Sequence, residues 1–392
     1  MFSLPTEVQL DIFKFLNYEE LCSIKQTNLY FRDFVNDFEE ELAREKFYEI
    51  SIVYFDQCKQ YPHKLIKPEA ENVDFSLNDE QLEEKFKNGL SKPIPLYLPD
   101  LDSDKNLVIR LSKGFLCEKL CIQLPTIIKS KEDIKIVYFY LNKLFNCSFK
   151  YGEFEEFIFN PELIKLLFGN VKTPKRVYIE NCCMLIIHSN ENFFQFVWIN
   201  LASKHIQSFF LQDKCITAKY TDTLFKILTS GGNNFRAVNL NFYNSSGNFD
   251  HGINATFYDR IVEYIATSRD CSKIVPVINL HYFSSTSLTL NERAEKVETR
   301  QLNRIKYTNY QIANMHNPKV IFFSLCNEEK SIDSTFYFII SKIKTPDIFK
   351  CVVSYILFLF CTRILLKKTT IFTLFEYQLI VEPPEKLPKE VE

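Results

Sequence analysis

A short apolar pattern recurs along the central part of the chain and limits the folds that it can adopt. Written Φ-x-x-Φ-x-Φ, with Φ for an apolar residue, it returns six or seven times from about residue 115 onward. Alternation of apolar and other residues over such short runs predicts β-strands. The copies are Cys117/Leu120/Ile122, Phe154/Phe157/Phe159, Val177/Ile179, Ile206/Phe209/Leu211, Phe235/Val238/Leu240, Val275/Ile278/Leu280 and Ile321/Phe323.

Helices are predicted between these strands. The predicted helical segments are 132–145, 161–168, 192–202, 221–228, 257–266 and 292–305. Strand, loop and helix therefore alternate, with steps of about 20 to 43 residues from one strand to the next. Such alternation predicts the α/β class with a mostly parallel sheet.

The alternation resembles a degenerate leucine-rich-repeat solenoid. The resemblance implies stacked repeats with a parallel sheet on one side and helices on the other, because one repeat cannot bury its apolar face alone. The steps vary in length and the Asn ladder of regular repeats is missing, so the predicted solenoid is irregular. A non-repeating α/β domain with a mostly parallel sheet is the alternative.

The x positions of the pattern are expected to point away from the core, because side chains alternate along a strand. One face of the sheet would then present aromatic, amide and acidic side chains, a mixture suited to binding a protein. The predicted substrate-binding residues are Tyr178, Glu180, Phe210, Gln212, Asn239, Asn241, Asn279 and His281. The alternative is that helices or a loop cover this face.

The first part of the chain has the pattern of three short helices instead. Glu19 and Glu20 suit the first turn of the second helix, and Asn28 suits the N-cap of the third. The third helix is expected to continue or restart through residues 39–47. The apolar positions at helical spacing are Val8, Ile12, Phe15 and Leu16 in the first helix and Phe31, Phe34, Val35 and Phe38 in the third.

This stretch resembles the F-box, the module that ties a protein to the SKP1 subunit of cullin-RING ubiquitin ligases. Phe31 stands where the family usually has Trp, and Thr27-Asn28 replaces the usual Val-Cys pair. The resemblance runs without a gap through Leu4, Pro5, Glu7, Ile12, Leu16, Leu21 and Phe31. It implies a helix-in-groove contact with SKP1. The SKP1-binding residues would be Leu4, Pro5, Ile12, Leu16, Leu21 and Phe31. A packing module of three helices without SKP1 binding is the alternative.

Composition excludes several classes of function. The net charge is −2, from 47 basic and 49 acidic residues, and no basic stripe is visible, so nucleic-acid binding is not predicted. The 8 glycines disfavour P-loops and dinucleotide-binding turns. No signal-peptide pattern is visible and the 12 cysteines are scattered among apolar residues, which predicts reduced thiols and a cytoplasmic or nuclear protein.

No catalytic site is predicted. The sequence motifs of serine hydrolases, zinc proteases, P-loop proteins and kinases are missing. The 6 histidines are isolated, and no cysteine pair has a histidine at zinc-finger spacing. We therefore expect neither an enzyme nor a cofactor nor a metal site. An enzyme in the α/β region, with its site at the carboxyl ends of the strands, is the alternative.

Four parts of the chain are predicted from these patterns. They are a helical F-box module at 1–48, a connector at 49–114 with a helix at 77–90, a repeat-like α/β substrate-recognition domain at 115–345, and an apolar segment with a disordered polar tail at 346–392. The apolar run near 349–360 is shorter than the about 20 residues that cross a bilayer, so it is predicted to be a buried helix or strand that closes the sheet. A tail anchor in a membrane is the alternative.

The F-box resemblance implies an adaptor function. SKP1, and a cullin through it, would be the partners, and the repeat-like domain would bind a protein substrate of unknown identity. The chain would then be the substrate-recognition subunit of an SCF-type (SKP1–cullin–F-box) E3 ubiquitin ligase, in which other subunits act on a substrate held nearby. The alternative is a protein-interaction scaffold outside any ligase, with a degenerate F-box.

Overall fold

Thirteen β-strands form one sheet that runs through the part of the chain described by the structure. The structure is a computed structural model, and it describes residues 4–39, 41–72, 93–99, 106–169, 174–186, 191–210, 218–242, 255–284, 290, 292–302, 305–329 and 334–342. The strands are β1 Glu45–Tyr54, β2 His63–Ile66, β3 Ile94–Pro95, β4 Tyr97–Leu98, β5 Leu107–Ser112, β6 Lys119–Ile122, β7 Ile127–Ile128, β8 Cys147–Phe154, β9 Ile158–Phe159, β10 Val177–Ile186, β11 Leu201–Phe210, β12 Ala237–Phe242, β13 Val277–Ser284, β14 Ala294–Leu302, β15 Ile305–Ala313, β16 Ile321–Glu329 and β17 Ser334–Lys342.

The sheet has a parallel centre and antiparallel ends. Its strand order is β14-β15-β16-β17-β13-β12-β11-β10-β8-β1-β5-β6-β2. The block β1-β8-β10-β11-β12-β13 is parallel throughout. At one end β17, β16, β15 and β14 add antiparallel strands, and at the other β5 and β6 do. Two small two-stranded pairings, β3 with β7 and β4 with β9, lie outside it.

Three short helices precede the sheet, and further helices connect its strands. The helices are α1 Thr6–Phe13, α2 Tyr18–Lys25, α3 Leu29–Asp37, α4 Phe55–Cys58, α5 Lys131–Phe145, α6 Pro161–Phe168, α7 Glu191–Gln195, α8 Ala218–Ser230 and α9 Ala255–Thr267. The helices α5 to α9 contribute buried residues such as Ile134, Leu163 and Ile261 to the same apolar core as the strands. The α/β class, with helices packed against a large sheet, is therefore confirmed.

The Φ-x-x-Φ-x-Φ pattern explains how the parallel strands are built. The second Φ position forms a continuous row of paired residues across six neighbouring strands, which are Ile50, Gly152, Cys182, Ile206, Val238 and Ile278. Residues of this row face the helices and belong to the apolar core. Neighbours in this block follow one another along the chain, an order that a solenoid has but other α/β sheets share. The leucine-rich-repeat-like solenoid therefore stays a prediction.

Three copies of the pattern are displaced from their predicted register. On β8 and β10 the row requires Phe149/Gly152/Phe154 and Ile179/Cys182/Met184, whereas the predicted copies were Phe154/Phe157/Phe159 and Val177/Ile179. On β11 the buried residues after Leu201 are Ser203, Ile206 and Ser208, so Ile206 is the second Φ of its copy and not the first. The correct register of this copy was not predicted, because the pattern was defined by apolar residues and two of the buried positions are serines. The copies Phe235/Val238/Leu240 and Val275/Ile278/Leu280 are buried as predicted.

Some predicted helices are strands. The helix predicted at 292–305 is wrong, because the whole of β14, Ala294–Leu302, lies in this interval and pairs with β15. Their many charged residues favour a helix locally, but charges are also common on edge strands such as β14. The helix predicted at 192–202 is present as α7 and a π-helical segment at Phe196–Asn200, and only its last residues are strand, because β11 starts at Leu201. The third helix ends at Asp37, and β1 takes up the residues from Glu45 onward.

The structure describes only parts of the predicted connector at 49–114 and none of the predicted C-terminal part at 346–392. The interval 49–114, predicted as a connector, contributes β2, β5 and most of β1 to the sheet. The helix predicted at 77–90 and the C-terminal part at 346–392 lie outside the described residues. Within the described part of the chain, no helix has the length and apolar character needed to cross a membrane.

Candidate functional site

Side-chain caps define the three N-terminal helices. The Asn17 side chain accepts a hydrogen bond from the Glu20 amide (2.9 Å), and the Glu20 carboxylate accepts one from the Asn17 amide (2.8 Å). This reciprocal capping box fixes the start of α2. The Asn28 side chain accepts from the Phe31 amide (3.0 Å) and starts α3, as predicted. Asn28 replaces a residue that is usually Cys in the F-box, and here it serves as a helix cap.

The three helices have an apolar core of their own. The Phe13 ring packs against the rings of Phe34 and Phe31, with centroids 5.0 and 5.8 Å apart. Because this core is separate from the core of the sheet, the helices form a distinct small unit. The buried members of its core are Leu10, Phe13, Leu21, Phe34, Val35 and Leu42.

The first helix also has an apolar stripe that faces outward. Val8, Ile12 and Phe15 follow one another at helical spacing, and Leu4 lies one turn earlier. Phe15 is 89% exposed, Val8 43% and Leu4 38%. Exposed apolar side chains grouped in this way mark a surface that binds another molecule. We call Leu4, Val8, Ile12 and Phe15 the docking stripe.

The residues predicted to bind SKP1 divide into exposed and buried ones. Leu4 and Pro5 are exposed, whereas Ile12, Leu16 and Phe31 are half-buried. Leu21 is only 3% exposed and packs in the helical core, so its side chain shapes the unit from inside. The exposed large apolar residues that the prediction of the SKP1 contact omitted are Val8, Phe15, Tyr18, Leu29 and Tyr30. For Val8 and Phe15 the signal was present, since both belong to the predicted stripe.

A buried glutamine fixes the start of the docking stripe. Gln9 is 3% exposed, and its side-chain amide donates to the Leu4 carbonyl (2.7 Å). The Tyr30 hydroxyl in turn donates to the Gln9 side-chain oxygen (2.6 Å). Leu4 is thereby held against α1 and α3. A polar residue on the buried face of a short helix gave no sequence signal for this contact.

The helical unit is tied to the sheet through the segment between α3 and β1. The Arg44 guanidinium donates to the Phe145 carbonyl (2.7 Å) and lies 3.8 Å from the centre of the Tyr178 ring. The Asn146 side chain donates to Glu39 (2.7 Å). Tyr178, predicted to bind substrate, is therefore held by Arg44 at the start of β10.

The predicted substrate-binding residues do not all lie on one open face. Tyr178, Glu180, Asn239, Asn241 and Asn279 are half-buried.

His281, from the same prediction, is 7% exposed and its ring stacks on Tyr337, with centroids 4.0 Å apart. The backbone of Phe210 pairs with that of Phe242, the last residue of β12. Gln212 lies outside the described residues.

The outward face of the parallel block carries residues that the prediction missed. Between the first and second Φ of each copy lie two consecutive x residues, and both face away from the helices. On β8 these are Lys150 and Tyr151, and on β11 they are Lys204 and His205. The spacing of the pattern could have identified them, because a pair of outward residues is implied by Φ-x-x-Φ.

Charges on this face are partly paired. Lys204 and Glu180 form an ion pair (2.7 Å), and the hydrogen bond from Lys204 lowers the pKa of Glu180. Burial lowers the pKa of His205, which favours its neutral form. The carboxylate of Glu180 on this face is therefore already paired with Lys204.

A second charged cluster lies where β1, β5 and β8 meet. Arg110 is 2.6 Å from Glu49 and 3.3 Å from Glu153, and Lys119 is 3.4 Å from Glu49. Burial raises the pKa of Glu153 to about 7, with further repulsion from Glu155. The cluster ties the β5–β6 hairpin to the parallel block. Within the described ranges, no group of three or more His, Cys, Asp or Glu side chains is placed to hold a metal ion.

Family models match the chain in two places. The F-box-like model matches residues 1–43, and a Domain of unknown function (DUF8381) matches residues 66–211, from the end of β2 to just beyond β11. No curated protein matches the chain, and no solved structure does. The first match coincides with the capped helices, their separate core and the docking stripe. Residues 1–43 are therefore an F-box-like domain, an adaptor module, joined to an α/β sheet.

Proposed function

We propose that the chain is the substrate-recognition adaptor of an SCF-type E3 ubiquitin ligase. The F-box-like domain would dock on SKP1, and the sheet would hold a protein substrate for ubiquitin transfer. The observation that carries the proposal is the docking stripe. A domain of 43 matched residues exposes Leu4, Val8 and Phe15 although its core is complete without them.

The docking stripe suits a helix-in-groove contact. Ile12 lies four positions after Val8 on the same side of α1, and the exposed Phe15 follows in the turn directly after the helix, so these side chains can enter one apolar groove together. Burying a large apolar side chain stabilises a complex by about 1.5 to 3 kcal/mol. Phe15, at 89% exposed, has the most area to lose. Leu16, Leu21 and Phe31 would act by shaping the unit that presents the stripe.

The outward face of the sheet is the proposed substrate-binding surface. It contains Tyr178, Glu180, Asn239 and Asn241 from the original prediction, together with the outward pairs on β8 and β11. Aromatic, amide and charged side chains on one face are typical of protein-binding surfaces. On this proposal the chain performs no bond chemistry, and ubiquitin transfer depends on the nearness of the bound substrate.

Binding of the purified full chain to recombinant SKP1 tests the proposal. Isothermal titration calorimetry should give a complex for the wild type. The Val8→Ala/Phe15→Ala variant should bind about 100-fold more weakly, which corresponds to about 3 kcal/mol. Leu116→Ala is the matched control, since Leu116 is 92% exposed outside the F-box-like domain, and it should bind like the wild type.

Two results would contradict the proposal. A folded wild type that does not bind SKP1 would remove the adaptor function. An unchanged affinity of the double variant would remove the docking stripe from the contact. Adding a cullin to the SKP1 complex separates ligase from scaffold, because the proposal requires that the cullin joins the complex, whereas a degenerate F-box scaffold would leave it out.

A further inference from the structure

We propose that the outward face of the sheet, from the β5–β6 hairpin to β12, binds an acidic segment of a partner protein through an apolar anchor and a row of cations. The inference rests on the proposed function, because this partner would be the substrate. It assigns a chemical class to a substrate that the F-box-like domain leaves undefined. An exposed apolar tip, an aromatic platform and a basic strip lie in one line on this face and support the proposal.

The apolar tip is the turn between β5 and β6. Phe115 is 50% exposed and Leu116 is 92% exposed. The Phe115 ring meets the edge of the Tyr48 ring, with centroids 6.4 Å apart, and otherwise faces outward. Two neighbouring exposed apolar residues at a hairpin tip add nothing to the core of the sheet. They provide an anchor for an apolar side chain of a partner.

An aromatic platform continues from the tip onto the sheet. Tyr48 on β1 packs against Tyr151 on β8, with ring centroids 5.1 Å apart. The Lys150 ammonium group lies 5.4 Å from the centre of the Tyr151 ring. The platform therefore ends in a cation, where the apolar part of the surface passes into the basic part.

The basic strip consists of Lys150, Lys204 and Arg236. Lys204 lies beside Glu180 in an ion pair that leaves 51% of the Lys204 side chain exposed. Arg236 is exposed and has no acidic partner among the residues that the structure describes. The two carboxylates along this line, Glu49 and Glu180, already have cationic partners, and Arg236 has no acidic one among the described residues, so an anionic ligand is complementary to the line.

The line has the length of a short extended peptide. Tyr151, Asn181, His205 and Ala237 are paired directly across β8, β10, β11 and β12, and Tyr151 is paired with Glu49 on β1. Since neighbouring strands lie about 4.8 Å apart, the line from β1 to β12 is about 20 Å long. An extended chain of about six residues covers that distance.

A protein segment fits this surface better than a nucleic acid. The apolar tip offers nothing to a phosphate backbone, whereas it suits a Leu or Phe side chain. Glu180 interrupts the cations, and the chain as a whole has a net charge of −2. Binding of nucleic acid depends on many cations in an uninterrupted surface.

Selection from a random peptide library displayed on phage, with the purified full chain as bait, tests the inference. The enriched peptides should combine Asp or Glu residues with one Leu, Ile or Phe. A synthetic peptide of the enriched sequence, measured by fluorescence anisotropy, should bind at least about tenfold more weakly to Lys204→Glu/Arg236→Glu, and likewise to Phe115→Ser/Leu116→Ser. Raising the salt concentration should weaken the binding to the wild type.

Matched controls carry the same changes on other surfaces. Lys165→Glu/Lys226→Glu reverses two exposed lysines on α6 and α8, and Met315→Ser removes an exposed apolar residue after β15. Both should bind the peptide like the wild type. Thermal unfolding of every variant separates a lost contact from a lost fold.

Several results would overturn the inference. These are the absence of enrichment, enrichment of basic peptides, equal binding by the test variants, and displacement of the peptide by single-stranded DNA. SKP1 binding is measured on the same preparations. A chain that binds acidic peptides but not SKP1 would contradict the proposed function and support the acidic ligand. A chain that binds SKP1 but not acidic peptides would contradict the acidic ligand and support the proposed function.

Discussion

Glu153 makes the stability of the sheet depend on pH in a direction opposite to that of most carboxylates. Its side chain is 22% exposed and 3.3 Å from Arg110. Burial, and next the charge of Glu155, nevertheless raise its pKa from 4.5 to about 7. The folded protein then binds a proton that the unfolded chain releases. Stability is highest below pH 4.5 for this group and falls as the pH rises through about 7.

The magnitude follows from the two pKa values. The difference between 4.5 and about 7 corresponds to at most about 3 kcal/mol of unfolding free energy. Glu153→Gln keeps the shape of the side chain and removes the charge. We expect it to be close to the wild type near pH 5 and more stable by about 2 to 3 kcal/mol at pH 8. Urea unfolding between these pH values measures the difference.

A glutamate on the opposite side of the sheet provides the control. Glu263→Gln, at an exposed position on α9, should follow the pH profile of the wild type. The reasoning is refuted if Glu153→Gln is less stable than the wild type at pH 8, because the attraction of Arg110 would then outweigh the burial of the carboxylate. A stability difference that does not change with pH would refute it equally.

Three further changes test the fold. Gly152→Ala should destabilise the sheet by about 1 to 3 kcal/mol in urea unfolding, because a Cβ would come within 2.5 Å of the Ile179 side chain. The same change should cost less when it is made in an Ile179→Ala background. Asn314→Ala should lower the free energy of unfolding by about 3 kcal/mol in the same assay. The Asn314 side chain donates to the carbonyls of Ile265 (2.7 Å) and Ser268 (2.8 Å) at the end of α9, and its loss leaves these buried carbonyls without that partner. Arg44→Ala should speed hydrogen exchange in residues 38–48 without unfolding the sheet; unchanged exchange would contradict the role of Arg44.

The sequence allowed the F-box-like domain to be predicted because its signals are local. Helix caps such as Asn28 and apolar residues at helical spacing depend only on neighbours within a few positions. The direction in which the stripe of α1 faces was not contained in that pattern. Leu10 and Phe13 fill the core of three short helices, so Val8 and Phe15 remain outside.

The parallel strands were predicted where their Φ residues are apolar and missed where they are small. Gly152 and Ser203 occupy the second and the first Φ positions of their strands, and neither residue is apolar by type. Gly152 is required because the Ile179 side chain fills the space that its own side chain would take. The antiparallel ends had no such pattern, and β14, rich in Glu, Lys and Arg, was predicted as a helix because tertiary pairing overrides local preference at an edge.

The proposed binding face begins where the F-box-like domain joins the sheet. β1 starts at Glu45, and Lys113, at the base of the apolar tip, forms an ion pair with Glu45. Arg44, one residue earlier, is anchored on Phe145 and Tyr178. A substrate held by the tip and the basic strip would therefore be fixed close to the F-box-like domain, the proposed SKP1-binding unit, by short, directly bonded elements. Ubiquitin transfer that depends on proximity gains from such a connection, because a bound substrate is held in a restricted volume near the ligase.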